Sequence, residues 1–258
     1  ERLQEAPLAV GRRGVDGRGV LGDDLPGRAD LACPEQPRGL DLALDVLHLE
    51  AAREGLGEDG TLLIDAGQIF GADVKAAALR LPALHAAGAA WLEEPFSGSA
   101  LAAYSALAAR SPVPLAGGEA AHNADMADHL IDFGRVGFVQ IDTGRIGGIG
   151  PAHRVAQKAA AQGVTYVNHT FTSNLALSAS LQPYAGLADH RICEYPTGLQ
   201  PLARDLTLTR IEPGPDGLIR LPDSPGLGVE INPEALTRYA VGVEIKVGGK
   251  TLFASAKS

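Results

Sequence analysis

The feature that most constrains this chain is an ionisable residue that recurs at the end of each short apolar run. Asp65 lies in TLLIDA, Glu93 in AAWLEE, Glu119 ends VPLAGGE, Asp142 ends VGFVQID, His169 ends VTYVNH and Glu194 lies in HRICEYP. Successive members are 28, 26, 23, 27 and 25 residues apart, which is the length of one strand, one helix and their loops. The intervening stretches, such as LDLALDVLHLEAAREGLG, ADVKAAALRLPALHAAG, HNADMADHLIDFG, GPAHRVAQKAAAQG and NLALSASLQPYAG, carry apolar residues at helical spacing and stop at glycine. The apolar runs are continuous rather than alternating, as in parallel strands buried on both faces. Regular strand–helix alternation implies βα units and a parallel sheet, open or closed into a barrel. In a barrel the same end of every strand lies on one face, so the six residues converge on one mouth. A solvated loop accounts for one strand-end carboxylate; it does not account for six groups in register.

The chain of 258 residues is 45% hydrophobic and carries a formal net charge of −9. That is long enough for a large single core or for two modest domains. The acidic balance excludes nucleic acid and anionic membrane surfaces as main partners, since both require clustered Lys and Arg. With only Cys33 and Cys193, there is neither a disulfide framework nor a thiolate zinc site. No apolar run reaches membrane-spanning length and ERLQEAPLAV does not read as a signal peptide, so a cytoplasmic globular protein is expected. Residues 1–39, rich in Gly, Arg, Asp and Pro, show no lasting period and are expected to be irregular or incomplete. The barrel is expected over 40–245, followed by a C-terminal tail at 246–258.

The strand-end chemistry divides into two groups. Asp65, Glu93 and Glu119 come from three consecutive strands, and three hard oxygen donors without Cys or His suit Mg²⁺, with Mn²⁺ also suitable, rather than Zn²⁺. A divalent ion would also relieve the repulsion built into the adjacent pair Glu93-Glu94. Asp142 and His169 end the next two strands, and an aspartate beside a histidine can hold its tautomer and raise its basicity. A metal on one side and a base on the other describe removal of the proton α to a carboxylate.

These residues resemble the enolase superfamily in its mandelate racemase/muconate-lactonizing branch. The resemblance is carried by DAG at 65–67, WLEEP at 91–95, GGE at 117–119, DTGRIGG at 142–148, NHTF at 168–171, CEYP at 193–196 and LPDSPGLGVEINPEAL at 221–236. It implies a modified TIM-type (β/α)7β barrel, Mg²⁺ held by Asp65, Glu93 and Glu119, and an Asp142–His169 acid/base dyad. It also implies that Glu194 hydrogen-bonds the substrate carboxylate as an enediolate forms, and that the protein self-associates. In that pattern the first glutamate of the pair is the ligand, and Glu94 is a supporting or loop residue. Three departures stand out: Gly67 occupies the place of a usual asparagine, Arg145 that of a common lysine, and no lysine precedes Lys75. The pattern places a Lys-x-Lys base on the second barrel strand and an α+β capping domain before it. Both are expected to be missing or incomplete in residues 1–39.

Among lesser features, Arg145, Asn168 and His122 are expected to bind substrate, and Thr170 and Ser173 either to bind a polyol or to cap the next helix. The remaining histidines, His48, His85, His129, His153 and His190, fall in or beside helices and are read as surface or packing residues. GRIGG at 144–148 lacks the spacing of a dinucleotide loop. The polar surroundings in YVNHTFTSN favour a hydroxylated small-molecule carboxylate, hence a Mg²⁺-dependent acid-sugar dehydratase with His169 shuttling the proton. The rival readings are a racemase or epimerase, which needs a base on each face, and a catalytically inactive barrel.

Overall fold

The computed structural model describes residues 8–9, 41–188 and 192–255; apart from residues 8–9, the expectation for 1–39 lies outside the described residues. In chain order the elements are β1 (Leu8–Ala9), α1 (Leu42–Leu56), β2 (Leu62–Asp65), α2 (Val74–Ala78), α3 (Leu81–Ala86), β3 (Ala89–Glu93), α4 (Leu101–Ala108), β4 (Leu115–Gly117), α5 (Ala124–His129), β5 (Phe138–Asp142), α6 (Ile149–Ala161), β6 (Thr165–His169), α7 (Asn174–Leu181), α8 (Pro201–Asp205), β7 (Leu218–Ile219), α9 (Pro233–Tyr239), β8 (Glu244–Val247) and β9 (Lys250–Ala254). Strands β2 to β6 form one parallel sheet in sequence order, each joined to the next by helix. This is the consecutive-neighbour arrangement of a (β/α) barrel.

The outer face of the sheet is covered by the helices. Leu84, Leu107, Leu115, Val139, Ile141, Val155, Leu177 and Leu181 are almost fully buried in one cluster there. Each such side chain contributes about 2 kcal/mol of transfer free energy. Phe96 and Tyr104 meet edge to face with ring centroids 5.5 Å apart, and the Tyr104 hydroxyl donates to the Phe96 carbonyl at 3.0 Å. Because strand residues alternate in direction, a second and smaller cluster forms on the inner face. It consists of Trp91, Ala116 and Val167, with Leu63, Phe138 and Ile192 against it. Arg53 ties α1 to the units beside it, donating through Nε to Ala87 O at 2.7 Å and through a terminal nitrogen to Gly57 O and Gly60 O at 2.8 Å each.

Three segments differ from the simplest reading of the pattern. The helix expected across 72–88 is broken into α2 and α3, because Pro82 lacks the N–H that would bond Ala78 and its ring crowds that carbonyl. Helix α5 runs on into a π-helical turn, Leu130–Gly134, closed by Arg135 in the left-handed region (φ 59°). The strand expected over HRICEYP is reduced, among the described residues, to a single bridging position at Cys193. The chain from 241 onward leaves the layered core and forms the β8–β9 hairpin, every residue of which is exposed.

Candidate active site

Register places the strand-end groups in pairs. Asp65 on β2 is the direct neighbour of Glu93 on β3, and Asp142 on β5 is the direct neighbour of His169 on β6. Glu119 follows β4 after one further glycine, Gly118. At Gly118 (φ 122°) a Cβ would stand 2.9 Å from the Gln140 carbonyl, so only glycine lets the chain pass that strand and present Glu119. Asp142 Oδ1 accepts from the backbone N–H groups of Gly144 (2.8 Å) and Arg145 (3.0 Å). This folds the DTGRIGG turn and leaves Oδ2 for His169 Nδ1, 2.9 Å away. The other ring nitrogen, Nε2, lies 2.9 Å from Glu119 Oε2. The remaining Glu119 oxygen, Oε1, accepts from Arg145 at 2.9 Å.

A histidine between two carboxylates donates from both nitrogens, which makes it an imidazolium. Burial opposes that charge, but the hydrogen bond to Glu119, the charges of Glu194 and Glu119, and the bond to Asp142 outweigh it and push His169 up to about 9. The His169 hydrogen bond holds Glu119 down at about 2, against its own partial burial, with Arg145 adding to the effect. Glu93 moves the opposite way, up to about 8, through burial first and then the Asp65 charge; a hydrogen bond from Gln140 opposes the rise. Glu194 is raised to about 7, chiefly by burial, while His169 and the Thr170 N–H (2.8 Å to Oε2) act against the shift.

Among the described residues, no three His, Cys, Asp or Glu side chains are gathered at metal-binding geometry. Glu119 faces His169 and Arg145. The donor chemistry nevertheless fits a hard divalent ion. Asp65 and Glu93 are adjacent carboxylates, one of them driven by burial and repulsion toward the neutral form, and Glu119 closes the set if it turns from the histidine.

The other expected site residues separate. Arg145 is in the site, bound to Glu119, 3.9 Å from Asp142 Oδ2 and 5.7 Å from the Phe171 ring centre. Asn168 is not at the mouth. It is fully buried, and its amide donates to Ser180 Oγ and Glu194 O and accepts from Glu194 N. The expectation of substrate contact is corrected here: this side chain acts as the missing rung between β6 and the 192–194 segment. The Tyr184 hydroxyl completes the joint, accepting from Asn168 N at 2.9 Å and donating to Ile192 O at 2.7 Å. His122 is exposed in the loop after Glu119.

The polarity of YVNHTFTSN is also misleading. Tyr166, Asn168, Thr170, Ser173 and Asn174 are all buried, and only Phe171 and Thr172 are exposed. Ser173 caps α7 by accepting from Ala176 N. Glu94, read as a supporting residue, is buried and bonded by Gln68; Gln68 itself was missed, although it stands three residues after Asp65. Beside the dyad, a cleft of ≈580 Å³ opens between the β5–α6 and β6–α7 loops, walled by Arg145, Ile149, Phe171, Ala176, Ala179 and Leu227 among others.

Residues 21–235 match the family model described as Enolase C-terminal domain-like. The D-galactarolactone cycloisomerase of Agrobacterium fabrum is 30% identical over 209 residues, covering 78% of this chain and 54% of that protein. The D-galactonate dehydratase of Variovorax paradoxus is 29% identical over 221 residues, covering 82% and 56%. Among solved structures, a predicted mandelate racemase from Rhodobacter sphaeroides superposes with a TM-score of 0.79 at 60% identity, over 86% of this chain and 56% of that one. The L-talarate/galactarate dehydratase of Salmonella typhimurium LT2, solved with Mg and L-lyxarohydroxamate, gives 0.66 at 28% identity, over 76% and 47%. The chain thus spans about half the length of the curated relatives it matches. With the strand-end residues in that order on a parallel (β/α) sheet, the chain belongs to the enolase superfamily, in its mandelate racemase/muconate-lactonizing branch.

Proposed function

We propose that this chain carries the acid/base and cation-binding half of an enzyme that removes the proton α to a carboxylate, and that its reaction is dehydration of a sugar acid. The observation that carries the reading is His169, set between Asp142 and Glu119 on the strands next to the Asp65–Glu93 pair. Asp65, Glu93 and Glu119 would hold Mg²⁺, or Mn²⁺. The ion supplies positive charge against the substrate carboxylate as the carbon acid ionises.

The remaining work falls to side chains. Asp142 keeps Nδ1 protonated and the ring fixed, so Nε2 is the atom that faces substrate once Glu119 leaves it. Without that acceptor the imidazolium releases its Nε2 proton to solvent, and the neutral Nε2 takes the proton from Cα and returns it to the β-hydroxyl; the C–O bond breaks, water leaves, and the enol product rearranges to a 2-keto-3-deoxy acid. Glu194, raised to about 7, retains a proton near neutrality and can donate it to a carboxylate oxygen as charge builds there. Arg145 orients Glu119 and offers a guanidinium to substrate anions. The sugar-acid substrate is supported by the relatives, which include dehydratases of L-rhamnonate, D-galactonate and L-talarate/galactarate. The buried polar side chains around His169 do not bear on it.

The test is proton exchange. The protein is incubated with Mg²⁺ and a set of sugar acids in D₂O and followed by NMR. Deuterium at Cα together with a 2-keto-3-deoxy product supports the reading. Exchange without loss of water would instead identify a racemase or epimerase. No exchange in a sample shown to bind Mg²⁺ overturns proton abstraction for this chain.

A further inference from the structure

Two residues at the mouth hold a left-handed backbone without being glycine: Gln68 (φ 65°) and Glu94 (φ 37°). Such a conformation costs on the order of 1 kcal/mol and persists only where the surroundings over-determine it. Here the two residues determine each other. Gln68 N donates to Glu94 O at 2.6 Å, and Gln68 Nε2 donates to Glu94 Oε2 at 2.8 Å. Glu94 N donates onward to Ala116 O at 3.0 Å, so its backbone is anchored to β4 as well. Gly117 leaves the room for this: a Cβ there would meet the Tyr104 hydroxyl at 3.2 Å and Glu94 Cγ at 3.7 Å. The result is that Glu94 is only 5% exposed, and the proton-transfer chemistry does not use it.

Its position along the chain suggests the purpose. Gln68 lies three residues beyond Asp65 and Glu94 immediately follows Glu93, and Asp65 and Glu93 are register partners on adjacent strands. The double link therefore joins the two loops just past the two carboxylates. Asp65 is also tied into its own loop, accepting from Gly67 N at 2.7 Å.

We propose that the Gln68–Glu94 pair is a clamp that sets the separation of Asp65 and Glu93 and so preorganises them for a divalent cation. Both are positioning residues, and the inference rests on the cation site of the proposed function. Without a tie, the loops that carry the two carboxylates can separate, and a cation must then draw them together at the expense of its affinity. A tie between the loops removes that cost before the ion arrives. Gln68 separates this idea from simple electrostatics. It is neutral, so deleting its amide removes no negative charge and would by electrostatics alone leave cation attraction intact or stronger. The clamp requires it to weaken.

The experiment is a calorimetric titration of Mg²⁺ into the full chain, comparing wild type, Gln68→Ala and the exchanged pair Gln68→Glu/Glu94→Gln, with the unfolding midpoint of each metal-free protein. The clamp predicts about a 10-fold or larger rise in the Mg²⁺ Kd for Gln68→Ala, as for other residues that orient metal ligands. It predicts recovery of most of that loss in the exchanged pair, which keeps one amide facing one carboxylate. Unchanged affinity in Gln68→Ala, even with a lowered midpoint, would make the pair a merely structural contact and overturn the proposal. If that variant does not fold, the exchanged pair decides, and a Kd as weak as that expected for Gln68→Ala would overturn it. Wild type that binds no Mg²⁺ removes the cation site, a failure of the proposed function distinguishable from the others because no variant is needed to see it.

Discussion

Glu119 accepts from His169 Nε2 and from Arg145 at 2.9 Å each, and it is also the third carboxylate of the proposed cation site. On that proposal one carboxylate has two uses, the ion pair and the cation. His169→Asn removes the main partner. We expect Mg²⁺ affinity to be retained or increased, and α-proton exchange to fall by roughly 10²–10⁴, the usual contribution of a general acid/base; calorimetry and the D₂O assay measure the two effects separately. Protonation adds a second residue-scale expectation. Glu93, at about 8 against an unfolded value near 4.5, holds its proton more tightly when folded. Its contribution to stability is present below that unfolded value and is lost as pH rises through about 8. Glu194, at about 7, and His169, at about 9, act in the same sense, while Glu119, at about 2, matters only below pH 4.5. The metal-free protein should therefore melt at lower temperature at pH 8 than at pH 6. Because Mg²⁺ competes with those protons, its stabilising shift should be larger at pH 8; equal shifts at the two pH values would count against Glu93 as a ligand.

At the scale of elements, the joint between β6 and the 192–194 segment is made by a side chain. Asn168 stands in for a backbone partner of Glu194, and Tyr184 braces both. Asn168→Ala leaves a buried N–H and carbonyl without partners, at about 3 kcal/mol, which for a domain of this size lowers the melting temperature on the order of 10 °C. Glu194 would lose its position with the joint, so exchange activity should fall as well. Gly118→Ala tests the neighbouring loop. With φ 122° and the Gln140 carbonyl 2.9 Å from the new Cβ, a cost of about 1–3 kcal/mol is expected, visible as a lowered unfolding midpoint. Much at this scale was legible beforehand. Strands β2 to β6 fall inside the apolar runs, because a strand buried on both faces has no alternative to a continuous apolar sequence. The break between α2 and α3 was legible too, in Pro82, but yields only if the proline is weighed above the apolar period. The loss of a regular strand at 190–196 was not legible, since its ladder partner is an amide side chain 26 residues earlier.

Across the whole molecule, stability is unevenly placed. The β5–β6 pairing and the helices over it lie in the main buried cluster, whereas the β8–β9 hairpin exposes Ile245, Val247, Leu252 and Phe253. Amide hydrogen exchange should find the slowest protons in β5 and β6, and exchange in Glu244–Ala254 faster by orders of magnitude. Sequence alone was enough for the order of the units and for the one face on which Asp65, Glu93, Glu119, Asp142, His169 and Glu194 gather. Both follow from a repeat one βα unit long, a local property of the chain. It was not enough for the direction in which those groups and their neighbours turn. Glu119 faces His169 rather than the other carboxylates, Asn168 turns inward beside an accessible Phe171, and Glu94 is buried against Gln68. Each of these orientations is a contact between units 26 or more residues apart in the chain. Beyond the last ladder hydrogen bond no local rule aims a side chain, and packing among distant units makes that choice.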